Sequence, residues 1–184
     1  MKSQFSTFLS KTDHTLLAII CISFVSLLFR IINLGSRVAH WDEGRVGYDI
    51  LRYVDTGIWQ YRPIVHGPFL PQINHYIFEF AGANDFTARI SVAIIGSLLP
   101  LAVWLYRDHL NNRELIALSL FLALDPLLLY YSRFMRNDVI VAAFVFIFVG
   151  YCINTFLLQC LDHVQDMLAV TRSSHPSYSR SFAH

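Results

Sequence analysis

The strongest constraint on this chain is a series of apolar runs, each about as long as a bilayer is thick. They cover residues 15–34, 90–106, 115–131 and 139–158. A helix needs about 20 mostly apolar residues to cross a membrane. The first run is longer than the apolar part of a secretory signal, and no small-residue cleavage site follows it, so it predicts a retained helix. The four runs predict an all-α integral membrane protein with four transmembrane helices.

Composition supports a membrane protein and excludes several other classes. The chain is 55% hydrophobic and 15% charged, whereas about a quarter of the residues in an average soluble domain are charged. The formal net charge of +1 provides no field that would attract nucleic acid. The three cysteines lie in or beside apolar runs without metal-ligand spacing. They therefore indicate neither a zinc site nor a disulfide framework.

The loop between the first two spans, residues 35–89, has a different composition. Val46, Ile50, Tyr53 and Val54 recur at helical spacing, with charged residues on the opposite face. A similar pattern follows over residues 70–80. Glycines close both segments, and a stretch with three prolines separates them, where neither helix nor central strand can continue. The pattern predicts two helices that lie in the plane of the membrane interface.

Two further features bear on the spans and the end of the chain. Arg30 lies near the far end of the first run, where its long side chain can extend to the interface. Asp125-Pro126 interrupts the third run and favours a helix end there. Residues 159–184 are polar and have no apolar period. They are predicted to be a disordered tail or the end of an incomplete chain.

Adjacent carboxylates, Asp42 and Glu43, directly follow the first run. They repel each other, and desolvation next to lipid disfavours their charged forms. Either is therefore a candidate general base or metal ligand. The alternative is that the pair only places negative charge at the N-terminus of a juxtamembrane helix.

Four spans would put both chain termini on one side of the membrane and the carboxylate pair on the other, together with the turn that contains Arg133 and Arg136. Arginines are more numerous on the carboxylate side, which taken alone would place that side in the cytoplasm. However, the first loop is near the upper length for this rule. The charge pattern therefore leaves the orientation open. The excess of arginine over lysine indicates recognition of a planar anion such as phosphate.

Four motifs together resemble a known family. They are His-Trp-Asp-Glu-Gly-Arg at 40–45, Tyr-Arg-Pro-Ile-Val-His-Gly-Pro-Phe-Leu-Pro at 61–71, Ala-Arg at 88–89, and Tyr-Tyr-Ser-Arg-Phe-Met-Arg-Asn-Asp at 130–138. In this order relative to the spans, they resemble the membrane-embedded GT-C glycosyltransferases. The more specific resemblance is to the N-terminal part of the archaeal flippase-activity-associated, dolichyl-phosphate-mannose-protein-mannosyltransferase-like family. It covers residues 15–158, and members of that family have many further spans.

The resemblance implies a multi-pass protein of the cell membrane whose carboxylate loop is extracytoplasmic. It implies transfer of a sugar from a polyprenyl or dolichyl phosphate to an acceptor protein or glycan at that face, with membrane lipid as surroundings and no nucleic-acid partner. Asp42 and Glu43 would be catalytic, with Asp42 as the base. The donor-phosphate candidates are Arg45, His66, Arg133 and Arg136. The alternative for each arginine is an anchor at the lipid headgroups, and for His66 a turn residue hydrogen-bonded to the backbone. Some GT-C enzymes bind a divalent metal at such a carboxylate pair and others do not, so Mg²⁺ or Mn²⁺ on Asp42 and Glu43 remains an alternative.

Two other function classes compete with the enzyme. One is a non-catalytic accessory protein in the flipping or assembly of lipid-linked sugars. The other is a small transporter, because charged residues near spans can mark an ion path. The charges of this chain cluster at the ends of the spans, whereas a translocation path needs polar groups at the middle of the bilayer. This pattern argues against a transporter.

Overall fold

The computed structural model describes residues 2–60 and 67–174, with side chains for 14–60 and 67–156. Within these residues the regular secondary structure is entirely helical. The helices are α1 (Lys2–Ile31), α2 (Trp41–Thr56), α3 (Phe69–Ala81), α4 (Asp85–Ala102), α5 (Asn112–Leu124), α6 (Pro126–Tyr131) and α7 (Asp138–Ser174). A 3-10 helix, Val103–Tyr106, continues α4. The chain divides into two compact units, Met1–Ile147 and Phe148–His184, and the described part of the second unit is helical.

Three helices in the described residues are long and apolar enough to cross a membrane. The candidate segments are His14–Ile31, Asp85–Tyr106 and Asp138–Phe156. They correspond to the first, second and fourth predicted spans, with boundaries shifted by a few residues. The largest shift is at the second span, where the Asn84 side chain accepts hydrogen bonds from two backbone N–H groups and starts α4 at Asp85. The first loop therefore ends before residue 89, and Arg89 lies within α4.

The third predicted span, residues 115–131, is divided into two helices. α5 ends at Leu124, and α6 begins at Pro126. Asp125 has extended backbone angles, and its Oδ1 accepts a hydrogen bond of 2.8 Å from Leu128 N at the start of α6. The 13 residues of α5 are about 20 Å long, shorter than the roughly 30 Å hydrocarbon core. A fourth membrane crossing by this segment remains a prediction.

The two helices predicted in the first loop are present as α2 and α3. The prediction that no helix forms in the three-proline stretch is wrong at its end, because α3 begins at Phe69 and includes Pro71. Pro71 lies in the first turn of α3, where a backbone N–H has no helical partner to lose. α2 ends at Gly57, whose φ of 67° lies in the left-handed region that glycine adopts without strain. Val46 and Ile50, on the predicted apolar face of α2, are buried. They pack in a cluster with Leu70 and Phe78 of α3. The apolar face of α2 thus contacts protein.

α7 extends beyond the predicted start of the polar tail. The helix continues to Ser174, whereas the tail was predicted to begin at residue 159. Residues 175–184 of that predicted tail lie outside the described part of the chain.

Arg30 was predicted to extend to the interface, but its side chain is fully buried. Its Nη1 donates hydrogen bonds to Ser26 and, at 3.2 Å, to the carbonyl of Ala123; a longer contact of 3.5 Å joins Nη2 to the carbonyl of Leu122. The break at Asp125-Pro126 leaves carbonyls without helical partners at the end of α5. Arg30 therefore caps the C-terminus of a helix that ends inside the apolar region.

Candidate functional site

Asp42 and Glu43, adjacent in the first turn of α2, occupy different environments. The side chain of Glu43 is 3% exposed, and that of Asp42 is 44% exposed. The turn begins at His40, whose Nδ1 accepts a hydrogen bond from Asp42 N at 3.2 Å. In return, Glu43 Oε2 accepts one from His40 N at 3.0 Å. This reciprocal cap fixes the start of α2 and the position of the Glu43 carboxylate.

Glu43 forms a buried ion pair with Arg89 of α4. Arg89 Nε donates to Glu43 Oε1 at 2.8 Å, and Nη2 donates to Oε2 at 2.9 Å. Arg89 Nη1 donates to the carbonyls of Leu34 and Arg37, both at 3.0 Å. The pair therefore joins α4 to the start of α2 and to the segment that follows α1.

A further backbone group completes the surroundings of Glu43: Met135 N donates to Oε1 at 2.9 Å. Burial alone would raise the pKa of Glu43, but the hydrogen bonds from Arg89, His40 and Met135, with the charge of Arg89, lower its pKa to about 2. Glu43 is therefore ionised at physiological pH, and both of its oxygens are occupied. A group in this state positions its neighbours and is unsuited to accept a substrate proton.

Asp42 lies on the exposed side of the same turn, beside Arg136. Arg136 Nη1 donates to Asp42 Oδ2 at 3.3 Å. Arg136 Nε also lies 3.1 Å from Asp138 Oδ2, although the angle is not that of a hydrogen bond. The other Asp42 oxygen, Oδ1, accepts no hydrogen bond from any residue in the described ranges. Among the described residues, Asp42 thus has one oxygen held by an arginine and one that accepts no hydrogen bond.

The other predicted phosphate ligands that the structure describes form no ion pair with Asp42. Arg45 is exposed and forms no ion pair with a described residue. Arg133 Nη2 donates to the carbonyls of Ile32 and Asn33, at 2.7 and 3.1 Å, and so caps the end of α1. His66 lies outside the described residues. Of the three candidates that the structure describes, Arg136 is the one with an ion pair to Asp42 or Glu43.

The sequence analysis did not assign a role to Arg89, the residue that determines the state of Glu43. A signal was present, since Arg89 directly precedes the apolar run at residue 90 and a charged side chain at that position needs a buried partner. The partner of Arg89 is Glu43, which lies 46 residues earlier in the sequence. No local spacing rule links residues so far apart.

The described residues do not fit a metal site that includes Glu43. Mg²⁺ and Mn²⁺ prefer several oxygen ligands. Both Glu43 oxygens already accept hydrogen bonds, and no group of three or more His, Cys, Asp or Glu side chains is placed to hold an ion in the part of the chain that the structure covers. Asp42 is the one member of the pair with an available oxygen.

Comparison of the chain with protein-family models, with the curated proteins and with the solved structures found no match. The four sequence motifs are thus the basis for the family resemblance. Three of them contribute to the site described above: residues 40–45 supply both carboxylates, Arg89 comes from the second short motif, and residues 130–138 supply Met135 and Arg136.

Proposed function

We propose that the chain forms the N-terminal module of a GT-C-type membrane glycosyltransferase with four transmembrane helices, which transfers a sugar from a polyprenyl phosphate donor to an acceptor at the extracytoplasmic face. The observation that carries this proposal is the pairing of a half-exposed carboxylate, Asp42, with Arg136, next to a buried carboxylate, Glu43, that is ionised at physiological pH. The three motifs that build this arrangement are those that carry the family resemblance.

The proposed reaction is a single displacement at the anomeric carbon. Asp42 Oδ1 accepts the proton of the acceptor hydroxyl as the acceptor oxygen bonds to that carbon. The bond between the anomeric carbon and the phosphate oxygen breaks, its electron pair leaves with the phosphate, and the configuration inverts. In this proposal Arg136, whose Nη1 lies 3.3 Å from Asp42 Oδ2, stabilises the negative charge that grows on the phosphate.

The position of Asp42 suits a donor that is anchored in the membrane. The first candidate span ends at Ile31, and α2 begins ten residues later at Trp41. The Trp41 side chain is largely exposed, and tryptophan favours the headgroup layer. A polyprenyl chain in the bilayer would present its phosphate at this level.

One observation favours the alternative, a non-catalytic accessory protein of lipid-linked sugar flipping or assembly. Arg136 lies between Asp42 and Asp138, so its charge is already balanced by two acids. In a structural protein these three residues would only fasten the start of α2 to the turn before α7.

Transfer of radiolabelled sugar distinguishes the two functions. Membranes that contain the full chain are incubated with a polyprenyl-phosphate-linked sugar, and label is measured in protein and glycan fractions. The transferase proposal expects label above that of membranes without the chain. No excess label, with normal amounts of the chain in the membrane, would leave the accessory function as the better account.

A further inference from the structure

We propose that a groove at the end of α1 binds the phosphate group of an anionic membrane phospholipid. The groove has a volume of about 470 Å³ and lies between the end of α1 with the segment after it and α6 with the turn after it. Its walls combine apolar and cationic side chains, namely Phe29, Leu34, Leu129, Tyr130, Arg37 and Arg133. Neither Asp42 nor Arg136 lines it, so it is separate from the site of the proposed transfer.

The two arginines give the groove a positive charge that the described acidic residues only partly balance. Arg133 forms no ion pair with an acid in the described residues, and its Nη2 is fixed by the carbonyls of Ile32 and Asn33. Its other guanidinium nitrogens donate to no described residue. The Arg133 guanidinium is therefore held in place while donors remain for a ligand.

Arg37 is also held in place, by two aromatic rings, and its charge is only partly balanced by an acid. Its guanidinium lies 4.7 Å from the ring centre of Phe134 and 5.4 Å from that of Tyr130. Its one described acidic contact is a long one, 3.5 Å to Glu43 Oε2, and Arg89 already neutralises that carboxylate. Since the described residues that line the groove include two arginines and no acid, an anion is the complementary ligand.

A phospholipid matches the groove in both charge and surroundings. The groove is formed at the end of the first candidate span, from Phe29 within it to Arg37 beyond it. A helix that crosses a bilayer would bring such a position near the headgroup layer. Phe29 and Leu129 provide apolar walls for the start of an acyl chain, and Ile32 and Leu127 are exposed nearby in sequence. Phosphate oxygens accept paired hydrogen bonds from arginine, and basic pockets between membrane helices bind anionic headgroups.

The test measures lipid retention by the intact chain. The protein is purified in a neutral detergent, and bound phosphatidylglycerol or phosphatidylcholine is counted by native mass spectrometry across a titration. Arg37→Gln leaves the Arg133 cap of α1 intact, and Arg37→Gln with Arg133→Gln removes both charges. Arg52→Gln is the matched control, because Arg52 is exposed on α2, outside the groove.

We expect the parent chain and Arg52→Gln to bind one phosphatidylglycerol in preference to phosphatidylcholine. Arg37→Gln should weaken that binding about ten-fold, as expected for the loss of one charged hydrogen bond, and the double variant further. Equal binding by all four proteins, or equal retention of phosphatidylcholine, would overturn the proposal. So would a polyprenyl phosphate that displaces phosphatidylglycerol at equal concentration, because the groove would then belong to the sugar donor. None of these readouts depends on sugar transfer.

Discussion

Glu43 and Arg89 form a buried ion pair with two hydrogen bonds, of 2.8 and 2.9 Å, across 46 residues of sequence. Each partner also holds backbone groups: Glu43 accepts from the N–H groups of His40 and Met135, and Arg89 donates to two carbonyls after α1. One ion pair thus connects the end of α1, the start of α2, the start of α4 and the turn before α7. The exposed carboxylate, Asp42, is adjacent to this junction and takes its position from it.

Removal of either partner should destabilise the chain strongly. Glu43→Gln leaves the Arg89 guanidinium buried without a counter-charge, and such a loss costs roughly 3–5 kcal/mol. Arg89→Gln should cost a similar amount. Asp55→Asn is the control, because Asp55 is an exposed acid on the same helix, and it should change the free energy of unfolding by less than about 0.5 kcal/mol. Reversible unfolding in detergent micelles measures the differences. A Glu43→Gln protein as stable as Asp55→Asn would contradict this role of the pair.

The stabilisation by Glu43 should depend on pH in a defined range. The pKa of Glu43 falls from an ordinary value of about 4.5 to about 2 in the folded chain. Because the folded state binds the proton less tightly, the stabilisation is complete above pH 4.5 and is lost as the pH falls towards 2. The difference in unfolding free energy between the parent and Glu43→Gln should therefore be constant near neutral pH and lose more than half its size by about pH 3. A difference that stays constant down to pH 3 would show that the pKa is not lowered.

The sequence predicted the helices of the fold better than their ends and interior contacts. The apolar period placed Val46 and Ile50 on a buried face of α2, and the glycine at position 57 ends that helix as expected. The prediction that Arg30 extends to the interface was wrong. It rested on the rule that a long cationic side chain near the end of a span usually reaches water. The burial of Arg30 depends on the break at Asp125, far along the chain, which exposes the carbonyls of α5.

Gly96 of α4 lies so close to the turn that contains Ser132 that no side chain should fit at this position. A Cβ atom at this position would lie 2.5 Å from the Cβ of Ser132 and 3.2 Å from Arg30 Nε. Gly96→Ala should therefore separate α4 from the turn that holds Ser132 and cost about 1–3 kcal/mol. Gly44→Ala is the matched control, since a Cβ there meets no atom within 4 Å and alanine favours a helix. Thermal unfolding should rank Gly96→Ala below the parent and Gly44→Ala at or above it; the reverse order would contradict the contact.

The carboxylate side of the membrane helices should face away from the cytoplasm. The family resemblance implies this orientation, whereas the arginine count taken alone implies the opposite. In a chain without its native cysteines, Ala39→Cys should react with an impermeant maleimide in intact cells. Asp108→Cys, in the turn after α4, should react only after lysis. Labelling of Asp108→Cys alone in intact cells would reverse the orientation.

The candidate site was only partly accessible from the sequence. The motif at residues 40–45 identified both carboxylates. Because Asp42 and Glu43 are consecutive residues, the sequence alone does not predict which of them is buried. Their difference comes from the direction in which each leaves the first turn of α2: Glu43 points to Arg89 in the interior and Asp42 to Arg136 at the surface. Arg133 illustrates the same limit, since its place in a shared motif with Arg136 did not predict that it would cap the end of α1.

If the chain belongs to a transferase, Asp42 and Arg136 should differ in the step that they affect. Asp42→Asn keeps the size of the side chain but removes the base, so the rate of sugar transfer should fall by roughly 10²- to 10⁴-fold with donor binding largely retained. Arg136→Ala should weaken donor binding as well as the rate, because an arginine on the phosphate contacts ground and transition states alike. Asp55→Asn should leave both unchanged. Initial rates across a titration of polyprenyl-phosphate-linked sugar separate the two effects, since kcat reports the base and KM the phosphate contact. An Asp42→Asn protein that transfers sugar at the parental rate would reduce Asp42 to a residue that only anchors the start of α2 to Arg136.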